Sequence, residues 1–575
     1  MADIADPIEI DEFEQVIAGW RAGTVDDEEF RTRRLHLGCY GIRQSDTHMV
    51  RVKVPGGLLG PEHLDALADS AERYSRGFAH VTTRQNFQLH FVALDDVPKL
   101  MRRVAEAGMT TREACGNSIR NITQSHLVGV DPTEVVDTRP VVDAFLRYFL
   151  RHPAFQTLPR KFKVAFDGSA ADHAHLGIHD IGVLGLVGPD GTPGFRLFVG
   201  GGLGSSPREA DVLEPFTPAH RLLSTSEAIL TLFDAHGERR NRVRARMKFL
   251  VAKWGIERFR EEVARVRDEL EATKSYPTFD VPLRSGRPLA VALPEPSPEL
   301  AAEAADAYRR WRDVNVFAHE GRDGTPRFAA YVTFHLGDVT AEQFRALAKV
   351  WRELGGDVDL RTTIRQNLLF TSLTAEQIPR LYATLRDSEM DLARAEKSGD
   401  VVSCPGAETC NLAITASRGL ADAVTDALTE AGLHELEDLR INISGCPNAC
   451  GQHTTADIGF SGMARRDPAG NEAPGYRVYV GARVDAGGAK FGHYVAKVPA
   501  RTAPQVAVAL VGRYATERQR GERFADWVAR VEPASLKSSL VDYDTMPSLS
   551  EDPSYFADWG SSRQFAVILG RGECA

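Results

Sequence analysis

The chain has 575 residues, of which 43% are hydrophobic and 26% charged, as in a globular protein that can bury a sizeable core. Its 69 basic and 79 acidic side chains leave a net charge of −10, which excludes a protein that is basic overall, as many nucleic-acid-binding proteins are. At about 150 residues per domain, we expect three or four structural units.

The N-terminus and the hydropathy pattern indicate a cytoplasmic protein. The opening stretch MADIADPIEIDEFEQ is acidic and has no apolar segment, so it is predicted to be neither a secretory signal nor a transit peptide. No apolar run approaches the roughly 18 residues that a transmembrane helix needs. We therefore expect no membrane and no nucleic-acid partner, and cysteines that are reduced thiols or metal ligands.

Three segments alternate between apolar and polar residues, which predicts strands with one polar face. They are THMVRVKV (47–54), TRQNFQLHF (83–91) and PRKFKVAF (159–166). The residues that share each polar face are Arg51 and Lys53; Arg84, Asn86, Gln88 and His90; and Lys161 and Lys163. At about 3.3 Å per residue the two lysines would lie roughly 7 Å apart. A solvated outer face is the alternative for each strand.

Two other stretches are weaker signals for anion binding. The glycine run FVGGGLG (198–204) predicts a turn, and its backbone N–H groups are able to bind an anion. The stretch RRNRVRARMKFL (239–250) is strongly basic, although an ordinary solvated helix has the same pattern. Neither stretch identifies a ligand by itself.

Residues 51–109 and 331–390 are related by an internal duplication. Both are predicted to run strand, helix, strand, helix, which favours an α+β fold. TTRQN in the first copy corresponds to TTIRQN in the second, and their shared Arg-Gln-Asn recurs at an offset of 281 residues. That offset is far longer than the repeat length of a solenoid protein, which is about 20–50 residues. We therefore expect two related halves around a pseudo-two-fold axis, with a ligand site between them.

Four of the seven cysteines form two clusters, SCPGAETC with Cys404 and Cys410, and GCPNAC with Cys446 and Cys450. Because proline suits the first turn of a helix, we predict Cys446 near a helix N-cap and Cys450 one turn later on the same face. A helix N-terminus lowers thiol pKa, and thiolates bind metals. The spacing favours a [4Fe–4S] cluster over structural zinc, with unliganded core cysteines as a third alternative.

The cysteine motifs resemble those of a known enzyme family. CPGAETC followed by NISGCPNACGQHTTADIGFSG is similar to the signature of the sirohaem- and [4Fe–4S]-containing sulfite and nitrite reductases, and departs from it only at Ser444. The resemblance covers roughly residues 30 to 530. It implies an α+β fold with the three-domain sulfite/nitrite reductase architecture and an internal pseudo-two-fold repeat.

The resemblance and the composition together set the expected domain boundaries. In chain order these are an N-terminal arm (1–45), a first ferredoxin-like half-domain (46–112), a sirohaem- and substrate-binding α+β domain with a linker (113–319), a second ferredoxin-like half-domain (320–395), a [4Fe–4S]- and sirohaem-binding α+β domain (396–530) and a C-terminal arm (531–575). The linker is expected within the Pro- and Gly-rich segment 276–326, and the C-terminal arm is expected to be extended.

The resemblance also implies roles for particular residues. The expected cluster ligands are Cys404, Cys410, Cys446 and Cys450, of which Cys450 also bridges to the sirohaem iron. The expected substrate-binding residues are Arg51, Arg120, Lys161 and Lys163, the lysines also delivering protons. The expected sirohaem contacts are Arg84, Gln88, His90, Gly200, Gly201 and Gly202, and the basic stretch 239–250 matches a helix that binds further sirohaem carboxylates.

Tyr40 and Cys115 match the two positions at which some members of the family form a Tyr–Cys thioether. The alternative is a packing tyrosine beside a buried free thiol. Cys39 is predicted to be a core residue. Cys574, in the final GRGECA, is interpreted as a tolerated terminal thiol.

The implied activity is the six-electron reduction of sulfite to sulfide. Nitrite-specialised members tend to carry Asn at the position of Lys163, and a second cation favours the sulfite dianion over nitrite. Since the sequence has no recognisable flavin or NADPH domain, we expect electrons from ferredoxin or another low-potential donor protein. The alternatives are a ferredoxin–nitrite reductase and, from another class, a zinc-stapled binding protein without catalysis.

Overall fold

The structure is a computed structural model that describes residues 3–297, 301–485, 488–570 and 573, so Cys574 lies outside the described residues. In these ranges the strands are β1 (Cys39–Gly41), β2 (Thr47–Val52), β3 (Leu58–Leu59), β4 (Phe78–Val81), β5 (Phe87–Ala93), β6 (Thr123–Gln124), β7 (Val164–Asp167), β8 (Ile181–Val187), β9 (Pro193–Val199), β10 (Asp211–Pro218), β11 (Val316–Glu320), β12 (Pro326–Val332), β13 (Asp338–Thr340), β14 (Asp359–Thr362), β15 (Leu368–Leu373), β16 (Val402–Ser403), β17 (Ile441–Ser444), β18 (Ile458–Arg466), β19 (Glu472–Val480), β20 (Arg483–Asp485), β21 (Gly488–Lys490) and β22 (His493–Pro499).

The α-helices of the same ranges are α1 (Pro7–Arg21), α2 (Asp27–His36), α3 (Pro61–Tyr74), α4 (Val97–Ala105), α5 (Arg139–Phe149), α6 (Leu222–His236), α7 (Met247–Trp254), α8 (Ile256–Thr273), α9 (Ala302–Asn315), α10 (Ala341–Leu354), α11 (Gln377–Asp387), α12 (Ser417–Glu430), α13 (Ala503–Glu517), α14 (Phe524–Val531) and α15 (Pro533–Ser539). Within the described part of the chain, none of them is long and apolar enough to span a bilayer.

The two repeated half-domains exchange a strand. The first forms a sheet of order β1-β2-β5-β4-β13 and the second a sheet of order β11-β12-β15-β14-β3. The edge strand β13 comes from the second copy and β3 from the first, and both pair antiparallel with their host sheets. Apolar residues of the two copies, with those of α3 and α10, form one continuous core. Because each sheet is completed by the other copy, the pseudo-two-fold arrangement follows from hydrogen bonding as well as packing.

The prediction of a single strand between the two helices of each copy was wrong. The Arg-Gln-Asn motif forms a tight turn instead, and it separates β4 from β5 and β14 from β15. The Thr82 hydroxyl accepts hydrogen bonds from the N–H groups of Arg84 and Asn86, at 3.2 and 3.1 Å, which closes the turn. Gln85 takes a left-handed conformation there, with φ of 59°. A period-two polar pattern does not distinguish such a turn from a continued strand.

The glutamine of each turn joins the half-domains to each other and to the remaining domains. Gln85 donates to the carbonyl of Thr362 at 2.9 Å and accepts from the N–H of Gln124 at 3.0 Å. Its counterpart Gln366 donates to a carbonyl at the end of β4 at 3.1 Å and accepts from the N–H of Ser403 at 3.0 Å. These buried bonds repeat the same connection on both sides of the axis.

A second duplication covers the other two domains, and the sequence analysis missed it. Their sheets have the orders β10-β9-β8-β7-β6 and β16-β17-β18-β19-β22. In each, three parallel strands are followed by an antiparallel one. The pairs β7/β17 and β8/β18 begin at the same offset of 277 residues. The two domains share a backbone path, but most residues at equivalent positions differ, so their sequences show little similarity to each other.

The predictions for the linker and the C-terminal arm were partly wrong. Segment 276–326 contains α9 and β11. Tyr308 and Trp311, one turn apart on α9, are buried in the core of the half-domains, and this packing stabilises a helix in a Pro-rich region. The segment from 531 onward begins with α15, and its Leu536 is buried in the core of the last sheet. The residues before β1 form α1 and α2, with Phe13 and Phe30 stacked 6.5 Å apart.

We expect replacement of Gln85 by alanine to destabilise the protein by about 1–3 kcal/mol, because it leaves a buried carbonyl and a buried N–H without partners. Urea unfolding followed by tryptophan fluorescence measures the effect as an earlier transition. Gln519→Ala, at an exposed position, is the matched control. Equal midpoints for the two variants would contradict the assigned role.

Candidate active site

A cavity of about 330 Å³ lies between the half-domains and the two larger domains. Nine basic side chains line it, and no Asp or Glu of the described residues does. They are Arg51, Arg84, Arg120, Arg160, Lys161, Lys163, Arg242, Arg246 and Lys248. Such a concentration of cations is stable only when it faces anions.

The crowding of positive charge shifts the ionisation of these groups. Burial and the neighbouring Arg84 and Arg246 lower the pKa of Lys163 well below its usual value. Burial lowers the pKa of Arg84 to about 9 and that of Lys248 to about 8. A bound polyanion would reverse these shifts, because it stabilises the charged form of each group.

The two cysteine clusters meet because they follow neighbouring parallel strands. Cys404 comes directly after β16, Cys446 follows β17, and Ser403 pairs with Ile443 in the register of the two strands. Cys404 and Cys446 are buried, while Cys450 is exposed towards the cavity. Among the described residues, no three His, Cys, Asp or Glu side chains converge tightly enough to hold a single metal ion.

The prediction of a helix beginning at Cys446 was wrong. Residues 445–452 form bends and turns, and Ala449 and Gln452 take left-handed conformations, with φ of 56° and 60°. The side chain of Asn442 donates to the carbonyl of Gly451 at 2.8 Å and so draws the chain back onto β17. Cys446 and Cys450 therefore do not sit in the first turn of a helix, whereas Cys404 Sγ lies 3.3 Å from the hydroxyl of Ser417, the first residue of α12. Burial and then the Cys450 thiol raise the pKa of both Cys404 and Cys446, so thiolates here depend on a bound cation.

The structure brings together all four residues predicted to bind the substrate. Arg51 and Arg120 are both anchored to the carbonyl of Ala114, at 3.2 and 2.9 Å. Lys161 and Lys163 enter the same cavity from the segment before β7, where the N–H of Lys163 donates to Asp180 at 2.8 Å. The apolar residues between and after them are buried, as the alternation predicted.

The predicted sirohaem contacts divide into two groups. Arg84 and Gln88 line the cavity, whereas His90 lies behind Gln88. With the Gln88 amide oriented to satisfy both neighbours, it donates to His90 Nε2 at 3.2 Å and accepts from Arg51 Nε at 3.1 Å. Burial lowers the pKa of His90 to about 3, which keeps its ring neutral and able to accept. His90 therefore positions the side chains that face the cavity.

The glycine run supports the cavity wall from behind. The wall itself is formed by residues 203–206, which follow Gly200, Gly201 and Gly202. At Gly201 a Cβ atom would lie 2.5 Å from the carbonyl of Gly177, so only glycine fits there. Lys248 donates to the carbonyl of Leu203 at 3.0 Å and fixes the loop.

The predicted basic stretch 239–250 brings Arg242, Arg246 and Lys248 to this cavity, although not from a single helix, since only Lys248 of the three lies on an α-helix, α7. Sequence reasoning missed Arg160 and His179. Arg160 had a compositional signal, since it is adjacent to the lysine pair. His179 had none: it follows a short turn after β7, and its Nε2 lies 2.6 Å from Arg84 Nη1.

Tyr40 and Cys115 belong to one small buried cluster beside the cavity, with Leu35 and Met49. Arg120 Nη2 donates to the Tyr40 hydroxyl at 3.3 Å, and the Arg51 guanidinium lies 5.5 Å from the centre of the Tyr40 ring. Cys39 is fully buried in the core of the half-domains, as predicted.

Comparison with known families gives the class of protein that this fold and cavity define. The model of the nitrite and sulphite reductase 4Fe-4S domain matches residues 115–271 and 395–545, and that of the nitrite/sulfite reductase ferredoxin-like half domain matches residues 40–107 and 319–388. The chain therefore belongs to the nitrite and sulfite reductase family and is an oxidoreductase. The duplicated matches confirm the paired architecture, and the predicted resemblance is confirmed.

Individual relatives carry both substrate names. The chain is 32% identical to the ferredoxin–nitrite reductase of Synechococcus elongatus, over 81% of this chain and 86% of that protein. It is 30% identical to a ferredoxin sulfite reductase of Mycobacterium tuberculosis, over 85% of this chain and 83% of that one. The solved structure of the M. tuberculosis NirA protein superposes with a TM-score of 0.76 at 28% identity, covering 92% of this chain and 96% of that one.

The family's cofactors are a [4Fe–4S] cluster and a sirohaem, and the residues present fit both. Four thiols in two facing turns suit a cluster in which each iron takes one thiolate. The cationic cavity, whose wall has no Asp or Glu among the described residues, suits a macrocycle that carries many carboxylates, and Cys450 reaches this cavity from the second cysteine turn.

Replacing Cys446 by serine is expected to abolish cluster assembly, because a hydroxyl is a poor substitute for a thiolate ligand of iron. Iron and acid-labile sulfide per polypeptide measure the loss. Cys39→Ala changes another buried cysteine outside the site and is expected to retain both. Unchanged iron and sulfide in Cys446→Ser would refute its place among the ligands.

Proposed function

We propose that the protein reduces sulfite to sulfide at a sirohaem joined to a [4Fe–4S] cluster through Cys450, with electrons from ferredoxin or another low-potential donor protein. One observation carries the proposal: Lys161 and Lys163 both enter a cavity that has nine cations and, among the described residues, no carboxylate. Relatives named as ferredoxin-dependent reductases support the choice of donor.

The cations have two tasks in this proposal. Those near residues 203–206 and α7 hold the carboxylates of the macrocycle, and those near Tyr40 hold the substrate. Arg51 and Arg120 are suited to binding the substrate oxyanion, since backbone carbonyls fix their guanidinium groups before the anion arrives. When bound, the sirohaem and the cluster supply the electrons.

The lysines are the proposed proton donors. Three oxygens of sulfite leave as water, so protons are required throughout the reduction. Arginine does not give up a proton readily, whereas a lysine ammonium does, and the burial of Lys163, which lowers its pKa, favours release of the proton. The neighbouring Lys161 is positioned to share this role.

Nitrite is the second candidate substrate. It is a monoanion that fits the same cationic cavity, and relatives named nitrite reductases are as similar to this chain as those named sulfite reductases. Sulfite is favoured because a substantial part of it is a dianion near neutral pH, and the dianion gains more than nitrite does from the second lysine. Two unit charges about 4 Å apart interact by about 4 kcal/mol at an effective dielectric constant of about 20.

Steady-state kinetics with both anions tests the proposal. Purified holoenzyme with reduced ferredoxin is expected to give a higher kcat/KM for sulfite than for nitrite, and no turnover with NADPH alone. A clearly higher kcat/KM for nitrite would replace sulfite by nitrite as the substrate. A protein without a Soret band and without labile sulfide would overturn the function altogether.

Lys163→Asn is expected to shift the sulfite-to-nitrite ratio of kcat/KM about tenfold or more towards nitrite, because it removes the second cation and leaves the first. A tenfold change corresponds to about 1.4 kcal/mol. Lys253→Asn removes an exposed lysine of α7 and is expected to leave the ratio unchanged. If the ratio is the same in both variants, the electrostatic account of the preference fails.

We also propose a thioether between Tyr40 and Cys115, since both lie in the same buried cluster next to Arg51 and Arg120. The C–S bond would replace the S–H bond of Cys115 and one ring C–H bond of Tyr40, with dioxygen as the two-electron oxidant that takes up the two hydrogens as hydrogen peroxide. A peptide-mass map of the purified protein is therefore expected to show one joined peptide that has lost two hydrogens. Cys115→Ala supplies the reference map, with the Tyr40 peptide at its unmodified mass. Intact, separate peptides from the unaltered protein would rule the link out.

A further inference from the structure

A second cavity, of about 180 Å³, lies next to the active-site cavity, and Gln452 forms part of both walls. Polar residues of its wall include His126, His175, Tyr331, Arg365, Glu396 and Arg440. None of these side chains has a role in the proposed reaction.

The pseudo-two-fold axis relates the second cavity to the first. Arg365 holds the place of Arg84 in the second Arg-Gln-Asn turn. Arg440 holds the place of Lys163: it directly precedes β17, and its N–H donates to Asp457 at 2.9 Å, as that of Lys163 donates to an aspartate before β8. The second cavity is therefore the counterpart of a site that binds anions.

The residues that would hold an iron–sulfur cluster are absent from this counterpart. At the offset of 277, His173 stands where the other half has Cys450, and Ser169 where it has Cys446. His173 Nε2 lies 3.0 Å from a carboxylate oxygen of Asp131, and the hydroxyl groups of Ser169 and Thr133 lie 2.6 Å apart. Hydrogen bonds between these side chains occupy the place of the thiols. The cavity also has about half the volume of the first, which leaves room for a small ligand only.

The two arginines of the second cavity differ in their partners. Arg365 lies 3.0 Å from Glu396 and 3.4 Å from Asp400, so its charge is compensated. The guanidinium of Arg440 has no carboxylate within 4.0 Å in the described part of the chain, and it donates to His175 Nε2 at 3.0 Å. The buried Asp457 binds the backbone N–H of Arg440 rather than its side chain.

The neighbouring histidines are neutral donors or acceptors rather than charges. Burial lowers the pKa of His126 and of His175 to about 3 in each case. His175 must accept from Arg440 at Nε2, since guanidinium only donates, so the neutral ring carries its proton on Nδ1. His126 Nε2 lies 3.1 Å from the Tyr331 hydroxyl, and its buried Nδ1 has no hydrogen-bond partner. The wall thus presents the Arg440 guanidinium, which is in direct contact with no carboxylate of the described residues, beside two imidazole rings. The carboxylates of Glu396 and Asp438 lie on the same wall, and the charge of Arg440 helps to lower the pKa of Glu396.

We propose that the second cavity binds a small inorganic oxyanion between Arg440 and the rings of His126 and His175. Arg440 supplies the charge and the histidine N–H groups supply directional hydrogen bonds. Oxyanion binding in the second cavity is expected whether sulfite or nitrite is reduced in the first. It is linked to that cavity through Gln452, whose amide donates to the carbonyl of Thr83 at 3.2 Å, while the Thr83 hydroxyl donates to the carbonyl of Cys450 at 3.0 Å.

Selenate is a suitable probe, because it has the shape and charge of sulfate and a strong anomalous signal. Crystals of the holoenzyme soaked in selenate are expected to show an anomalous peak within hydrogen-bonding distance of the Arg440 guanidinium. The peak is expected to disappear in Arg440→Gln and to persist in Arg322→Gln, which removes an exposed arginine elsewhere. The absorbance spectrum of each variant verifies that its cofactors are loaded.

Titration calorimetry with selenate gives the matching result in solution. We expect binding to the second cavity to weaken at least tenfold in Arg440→Gln. His126→Phe keeps Arg440, fills part of the cavity and is expected to weaken binding as well, so it tests the site if Arg440→Gln does not fold. A peak in the first cavity without one at Arg440, or a peak unchanged in Arg440→Gln, would overturn the proposal.

Discussion

The structure depends on holding many like charges around one cavity. Lysine and arginine side chains that face each other repel, and in the described part of the chain no carboxylate on the wall relieves the repulsion. The chain resists it by anchoring the cations individually: backbone carbonyls hold Arg51 and Arg120, and the buried Asp180 pairs with Arg246 at 2.8 Å. The free energy of folding therefore maintains a charge pattern that anionic ligands later neutralise.

The duplicated fold explains how the cations are brought together without being close in sequence. Each half-domain borrows a strand from the other, and each Arg-Gln-Asn turn carries a glutamine that bonds across to a neighbouring domain. The turns consequently project their arginines inward on both sides of the axis. Because the backbone is duplicated about the pseudo-two-fold axis, the active-site cavity has a counterpart, the second cavity.

The chemistry of the two cavities is unequal because side chains have changed on a common frame. Cys450 and Lys163 face the first cavity, where His173 and Arg440 stand in the second. Tyr331 pairs with Leu369 as Arg51 pairs with Gln88, so Tyr331 stands at the position of Arg51. The exchange of thiol for imidazole removes the means to hold iron and sulfide. Hydrogen bonds of His173 with Asp131 and of Ser169 with Thr133 stand at the positions of two of the thiols.

Much of the site was predictable from the sequence, because ligand chemistry restricts residue type and spacing. The cysteine quartet, the lysine pair and the Arg-Gln-Asn repeat all had local signals that survive without a structure. Local pattern also identified the buried faces around Arg51 and Lys163 correctly, since period-two alternation reports directly on burial. The α+β class and the pseudo-two-fold arrangement followed from the same signals.

Tertiary structure alone decided what depends on contacts between distant segments. A hydrogen bond from Asn442 of β17 to Gly451 stabilises a turn where a helix was expected at Cys446. Burial of Tyr308 and Trp311 stabilises a helix in a Pro-rich segment. His90 lies behind Gln88, although the alternation placed both on one face, and His179, which has no signal in the sequence, lies beside Arg84. Sequence determines which groups are available, whereas packing and long-range hydrogen bonds determine which of them meet.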